Sequence, residues 1–261
     1  MEKLYVIKIG GNIIDNEEKL SAFLKSFAAI KAKKILVHGG GKLATAMAGH
    51  LGIPQQMVEG RRITDAETLK VVTMVYAGLI NKTVVAQLQA AGADAIGLSG
   101  ADGNVILAHK RLVKDQDYGF AGDVDAVNGQ LLSNLLEQGL LPVLAPITHN
   151  GEGQLLNTNA DTIAQETAKA MSAFYNVSLV YSFEKAGVLL DADDESTVIP
   201  VIDREKYAEL KEKGLVFAGM LPKLDNAFSA LDSGVAQVII GKAENLSALL
   251  AGESGTTIIH G

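Results

Sequence analysis

Cysteine is absent from the 261 residues, which excludes disulfides, thiolate zinc sites and a thiol nucleophile, and agrees with a reducing compartment. Positive charge is also scarce: 23 basic against 30 acidic side chains leave a formal charge of −7. No block of like charges offers a surface to a nucleic acid or an anionic membrane. An anionic ligand must therefore be held by a few focused cations and backbone dipoles. The longest helix-like apolar run, Val71 to Ile80, falls well short of the ~18 residues of a membrane span. Glu2 and Lys3 lead straight into a strand, without the pattern of a signal peptide. The expectation is a soluble, cytoplasmic protein with no nucleic-acid or membrane partner.

What the chain does have is material for a large core. Apolar residues make up 48%, enough for one large α/β unit or two small lobes. Leu4 to Ile9 is a short, β-branched run that reads as a strand buried on both faces, and Lys8 inside it is out of character. Gly10 and Gly11 follow at once, then a helical pattern. Glycine lets backbone N–H groups come close to an anion, and a helix N-terminus adds partial positive charge. Lys8 is thus placed to hold phosphate, or, taken alone, merely to snorkel from a strand end to water.

The same strand–glycine–helix unit recurs at Ile35 to His38, Gly39–Gly40–Gly41 and a helix reaching about Leu51. Two such units point to a parallel α/β sheet. Leu43 after Lys42 excludes a phosphate loop of the Gly-x4-Gly-Lys-Ser/Thr type, and Ala44 excludes the dinucleotide Gly-x-Gly-x-x-Gly. The glycine run still marks a close approach at a strand's carboxyl end, where open α/β sheets bind ligands. Pro54 to Thr64 reads as a loop or hairpin. Thr64 with Glu67 has the pattern of a capping box opening a helix that passes Asn81. Its stretch Val71 to Ile80 is apolar all round, so it belongs either in the core or in a subunit seam.

Strands follow at Ala95 to Leu98 and Leu140 to Ala145, with hairpins over Val105 to Val127 between them. Asn157, Asn159 and Asp161 then converge before a helix, where Asp161 suits an N-cap. From Val177 the pattern restarts with a strand, the Gly187 turn and an acidic loop. Helices then span Arg204 to Lys213 and start again at Gly219–Met220–Leu221–Pro222–Lys223. A soft lobe boundary falls near residue 174. Lys8 and Lys223 are two cations at glycine-flanked helix starts, and Asp161 could orient both. Two cations across a cleft suit phosphoryl transfer, whose catalysis is mostly positioning and electrostatics.

The motifs Lys8-Ile-Gly-Gly, His38-Gly-Gly-Gly, Glu59-Gly-Arg-Arg-Ile-Thr64, Ala77-Gly-Leu-Ile-Asn-Lys82, Gly97-Leu-Ser-Gly, Leu156-Asn-Thr-Asn-Ala-Asp161, Gly219-Met-Leu-Pro-Lys223 and Gly255-Thr, in this order and spacing, resemble those of the N-acetyl-L-glutamate kinases of the amino-acid kinase family. The likeness covers essentially the whole chain. It implies a three-layer αβα sandwich with a mainly parallel sheet. An N-lobe (1–173) would bind the acylated amino acid and dimerise, and a C-lobe (174–261) would bind nucleotide. The implied reaction is ATP-dependent phosphorylation of the N-acetyl-L-glutamate γ-carboxylate, the second step of arginine biosynthesis.

The resemblance also implies roles. Lys8 and Lys223 would stabilise the transition state, with Asp161 orienting them. Gly10 and Gly11 would hold the transferred phosphoryl group. Gly40, Gly41, Arg62, Asn157 and Asn159 would hold the acceptor, Arg62 taking its α-carboxylate bidentately. Lys185, Gly187, Val188, Leu189, Phe217, Gly219 and Met220 would meet the nucleotide. Magnesium would ride on the ATP phosphates without protein side-chain ligands. The acceptor carboxylate is already ionised, its reference pKa being ~4.3, so no general base is needed. None of the five histidines shows an evident partner, and His38 reads as a strand-end hydrogen-bonding residue.

Three departures stand out. The turn Ser182 to Gly187 differs from the family's shorter, acidic one, which leaves individual nucleotide contacts open. Lys42 replaces a frequent proline: it either adds a cation favouring an acyl group with its own carboxylate, such as succinyl, or faces solvent. The N-terminal extension of arginine-inhibited hexameric relatives is missing, which implies an arginine-insensitive homodimer with Val71 to Ile80 as its seam. Rival readings are a relative with another acceptor and a non-catalytic nucleotide or metabolite sensor.

Overall fold

Alternation along the first strand builds the three layers. In Lys3–Ile9, Leu4 and Val6 are fully buried on one face and Tyr5, Ile7 and Ile9 on the other. Each set joins a separate hydrophobic cluster. The first face packs on helices Ala160–Met171 and Leu221–Asp232, the second on Glu17–Ala29 and Gly41–His50. The period of two in a strand thus requires a helical layer on each side. The computed structural model describes residues 1–261 other than 59, 115, 192 and 215–219, with residue 183 described by its backbone only.

The central sheet has eight strands, in the order Val201–Ile202, Thr256–Ile258, Gln237–Lys242, Asn176–Phe183, Lys3–Ile9, Lys33–His38, Leu141–Leu144, Ala95–Leu98. Neighbours are parallel except Gln237–Lys242 against Thr256–Ile258. Lys3–Ile9 lies in the middle, paired with Lys33–His38 on one side and Asn176–Phe183 on the other. The chain winds outward in both directions from it, so the crevice beyond Ile9 is where a ligand is expected. The sheet runs on across residue 174: Lys3 to Lys8 pair directly with Asn176 to Tyr181.

Above that crevice stands a small closed barrel of Ile106–Val113, Gln116–Val127, Ile147–His149 and Leu155–Thr158. Only its hairpin is visible in the sequence pattern. The hairpin Gln56–Val58/Arg61–Ile63 faces it. The next helix is capped by Asp65, whose carboxylate accepts from Thr68 N at 2.7 Å, and not by Thr64. Thr64 is spent on the barrel: its N–H bonds Tyr118 O at 3.0 Å and its carbonyl accepts from Phe120 N at 2.6 Å.

The helical segment from Ala66 continues to Ala90, long and apolar enough by length and composition to cross a membrane, because the turns around Lys70 and Lys82 extend the apolar run counted from sequence. Here it is a core helix on one side only. Val71, Val72, Val75, Tyr76, Ile80, Val84 and Leu88 are buried, while Met74 and Leu79 are 55% and 50% exposed. Between Thr73 and Ile80 it widens into a π-helical stretch.

Candidate active site

Lys8 stands two residues beyond Val6 and so points to the same face of the sheet, toward the starts of helices Ala160–Met171 and Leu221–Asp232. At the first of these, Asn159 is the N-cap: its side-chain oxygen accepts from Asp161 N at 2.8 Å and Thr162 N at 3.2 Å. The expectation of Asp161 as the cap is therefore corrected, and the consequence is chemical. With the cap supplied two residues earlier, the Asp161 carboxylate is left to bind Lys8 Nζ at 2.8 Å. Pro222 sits in the first turn of the second helix, where its missing N–H costs no helical bond, and brings Lys223 to the same place.

Lys8, Asp161 and Lys223 line one cavity with Tyr181, Ser182, Asn226 and Ile240. Burial pushes the Lys223 ammonium below its ordinary range; Asp161 and Glu184 oppose this and Lys8 adds to it. Tyr181 is pushed upward by burial and by the Asp161 and Glu166 charges, and its hydroxyl reaches Asp161 O at 3.4 Å. Gly10 lies near the Lys8 ammonium: a Cβ there would stand 3.6 Å from Lys8 Nζ. Sequence reading missed Tyr181 and Asn226. Asn226 lies three residues after Lys223, a helical spacing that puts both on one face.

A second pocket opens beside the first. Gly40, Gly41, Arg62, Asn157 and Asn159 all line it, and so do Tyr76 and Arg111. Asn157 Nδ2 donates to Thr64 Oγ1 at 3.0 Å, which ties the barrel to the hairpin beneath. Arg62 is 8% exposed and largely committed to protein. Nη2 donates to Gly41 O and Thr45 Oγ1, both at 2.9 Å, and Nη1 to Gln55. A full bidentate fork for a ligand, as read from the sequence, is thus not left over. Arg111 supplies what the sequence reading missed. Asp123 fixes its Nη1 at 2.7 Å, its guanidinium lies 5.6 Å from the Tyr118 ring centre, and its buried Nε has no partner among the described residues. Lys42 is exposed, lying beside Gly11 and Asp15, outside the lining of this pocket.

The expected nucleotide turn divides. Lys185 is exposed. Gly187 packs on Thr256, whose Oγ1 a Cβ would approach to 2.7 Å, and Val188 N donates to that same oxygen at 2.8 Å. Val188, Leu189 and Met220 are buried, and the Val188 carbonyl accepts from Ile199 N at 2.9 Å, so both backbone groups of Val188 are bonded within the protein. Phe217 and Gly219 lie outside the described residues. Among the histidines, the sequence reading found no evident partners, yet His109 pairs with Asp125 at 2.6 Å and His149 with Asn104 at 2.8 Å. His38 is the strand-end hydrogen-bonding residue expected: it contacts Gly39 O and Asn81.

The profile of the amino acid kinase family matches residues 3–242. The chain is 58% identical to the acetylglutamate kinase of Phocaeicola vulgatus over 257 residues, which span 98% of both proteins. A Streptococcus mutans protein of known crystal structure is similar over 99% of each chain, with a TM-score of 0.78 at 28% identity. The Giardia carbamate kinase shares the fold, with a TM-score of 0.70 at 14% identity, covering 100% of this chain and 99% of that one.

Proposed function

This chain belongs to the amino acid kinase family, and from that premise we propose that it transfers the γ-phosphoryl group of ATP to the γ-carboxylate of N-acetyl-L-glutamate, in arginine biosynthesis. The observation that carries the reading is the cluster of Lys8, Asp161 and Lys223 in one cavity, next to a second pocket lined by Arg62, Arg111 and Asn157. One space suits phosphates and the other a carboxylate-bearing acceptor.

An acceptor carboxylate oxygen attacks the γ-phosphorus, its P–O bond forms as the bond to the ADP oxygen breaks, and negative charge moves onto the leaving and equatorial oxygens. The ammonium groups of Lys8 and Lys223 meet that charge, and Asp161 holds Lys8 in place so that little reorganisation is needed during the reaction. Gly10, where a Cβ would stand 3.6 Å from Lys8 Nζ, leaves room for the transferred group beside the ammonium, and Gly11, whose Cβ would meet Asp15 Oδ2 at 2.8 Å, continues the same turn. The acceptor enters already ionised, so no proton needs to be removed. Arg62 and Arg111 attract its other carboxylate, with Asn157 and the Gly40–Gly41 backbone alongside. Magnesium would arrive on the nucleotide phosphates, lowering their charge, held by them and by water. Nucleotide contacts fall to the Lys185–Leu189 turn and the start of the Lys223 helix. The exposed Met74 and Leu79 are proposed as the seam of a homodimer, and the use of ATP suits a cytoplasmic enzyme.

The test is ATP consumption by the purified protein with magnesium, against N-acetyl-L-glutamate, N-succinyl-L-glutamate, free glutamate, aspartate, carbamate and UMP. Turnover on acetylglutamate is expected, and Lys8→Ala and Lys223→Ala each lower it by about 100-fold, as for a lost oxyanion donor. Near-normal turnover in both variants removes their assigned roles. Phosphorylation of only a different acceptor replaces the substrate, and none at all would favour a sensor.

A further inference from the structure

His38 takes no part in the chemistry above, yet its ring is wholly buried beside the acceptor pocket. Its Nδ1 lies 2.9 Å from Gly39 O; a carbonyl only accepts, so Nδ1 carries the proton. Its Nε2 lies 3.2 Å from Asn81 Nδ2, which donates, so Nε2 is bare. Asn81 is held in turn from several sides. Nδ2 also donates to Val143 O at 3.0 Å, and Oδ1 accepts from Lys82 Nζ at 3.0 Å. Lys82 reaches Gly97 O at 3.1 Å, and a Cβ on Gly97 would stand 1.9 Å from Asn81 Oδ1.

The acceptor turn leans on the same helix. Gly40 has φ +146°, and a Cβ there would stand 2.2 Å from Ile80 Cδ1. Gly39 N donates to Ile9 O at 3.0 Å, which ties this turn to the phosphate-side turn at Gly10. Three motifs with no catalytic part, the His38 of His-Gly-Gly-Gly, the Asn81–Lys82 pair and Gly97, thus meet at one point. Their convergence answers a physical problem. A run of three glycines has the widest choice of backbone conformations and no side chain to limit it, so its shape must be imposed from outside.

We propose that His38 and Asn81 are positioning residues for the acceptor. The long helix carries Asn81, Asn81 holds the imidazole, and the imidazole holds the Gly39 carbonyl, so that the Gly39–Gly41 turn is set before the acceptor arrives. The kinetic part of this inference rests on the reading of that pocket as the acceptor site.

Nitrogen-15 NMR of the intact protein at neutral pH reads the His38 tautomer directly. The expected result is a protonated Nδ1 and a bare Nε2; a proton on Nε2 overturns the chain of bonds, whatever the substrate proves to be. Kinetics of three variants test its purpose. In His38→Gln the amide reaches Asn81 but not Gly39, and the acceptor KM rises by about three- to tenfold, the worth of one neutral hydrogen bond. In His38→Asn the amide overlays Nδ1 and keeps the Gly39 bond, so the rise is smaller. Lys82→Met removes one anchor of Asn81 from an exposed position and raises the same KM by about two- to threefold. The KM for ATP stays unchanged in all three. Equal changes in both KM values, or none, overturn the proposal. If the histidine variants do not fold, Lys82→Met decides. A failure of the substrate reading shows separately, as absent turnover in the wild-type protein with the NMR result intact.

Discussion

A lysine two residues past Val6 inherits the face of Leu4 and Val6, and what makes that tolerable is the carboxylate waiting at the helix start above it. Buried cations need a partner, and Asp161 at 2.8 Å supplies one. His38 solves the opposite problem by staying neutral. Burial, with the Lys82 charge adding, lowers its pKa from 6.5 to about 4, against the bond to Gly39 that favours the charged form. Because the folded value lies below the unfolded one, the unfolded chain takes up the proton first. The stability from the neutral ring is therefore complete above pH 6.5 and is lost as the pH falls toward 4. The full difference is about 3 kcal/mol. Between these pH values the melting temperature of the wild-type protein should fall more steeply than that of His38→Asn, as followed by circular dichroism. Parallel slopes would assign the acid sensitivity to other groups.

At the scale of elements, helix starts do the positioning. The Ala160–Met171 helix is capped by Asn159, two residues before Asp161, so one side chain satisfies the helix and another is left to pair with Lys8. Asn159→Ala should cost about 1 kcal/mol, the usual worth of a cap, lowering the melting temperature by roughly 2–4 °C and reducing kcat through a looser Asp161. Asn159→Asp restores the cap but sets a second negative charge beside the phosphate cavity, so the melting temperature should recover while kcat does not. Recovery of both would mean that the cap alone matters. The long helix has a comparable double use. Its buried side carries Tyr76, Ile80 and Asn81 to the acceptor turn, and its π-helical stretch exposes Met74 and Leu79 on the opposite side.

For the whole molecule, that exposed stretch sets the expected assembly. Two large apolar side chains flanking Gly78 on an otherwise core helix are an unfavourable surface in water, and a second copy of the chain would cover them. Sedimentation velocity should give a mass twice the 27.4 kDa of the chain, and the double variant Met74→Lys with Leu79→Lys should sediment as a monomer. A wild-type monomer would remove the seam. The eight-stranded sheet also joins the two proposed lobes through the pairing of Lys3–Ile9 with Asn176–Phe183, so both proposed lobes share one support.

Period and punctuation make much of this legible in the sequence. Short apolar strands next to glycine turns determine a parallel α/β sheet, and a lysine within such a strand stands out as a candidate for the site, because both signals are local in sequence. The motifs around Lys8, Asp161 and Lys223 likewise name three residues that the fold brings into one cavity. Other features depend on residues far apart in the chain. The cap at Asn159 rather than Asp161, and at Asp65 rather than Thr64, turns on which polar groups are already used elsewhere: Thr64 on Tyr118 and Phe120, Asp161 on Lys8. The small barrel that brings Arg111 over the acceptor pocket, the commitment of Arg62 to Gln55, Gly41 and Thr45, and the bond from His38 to Asn81 are likewise long-range pairings. A sequence shows which groups can bond; only the fold decides which of them meet first and which remain for a ligand.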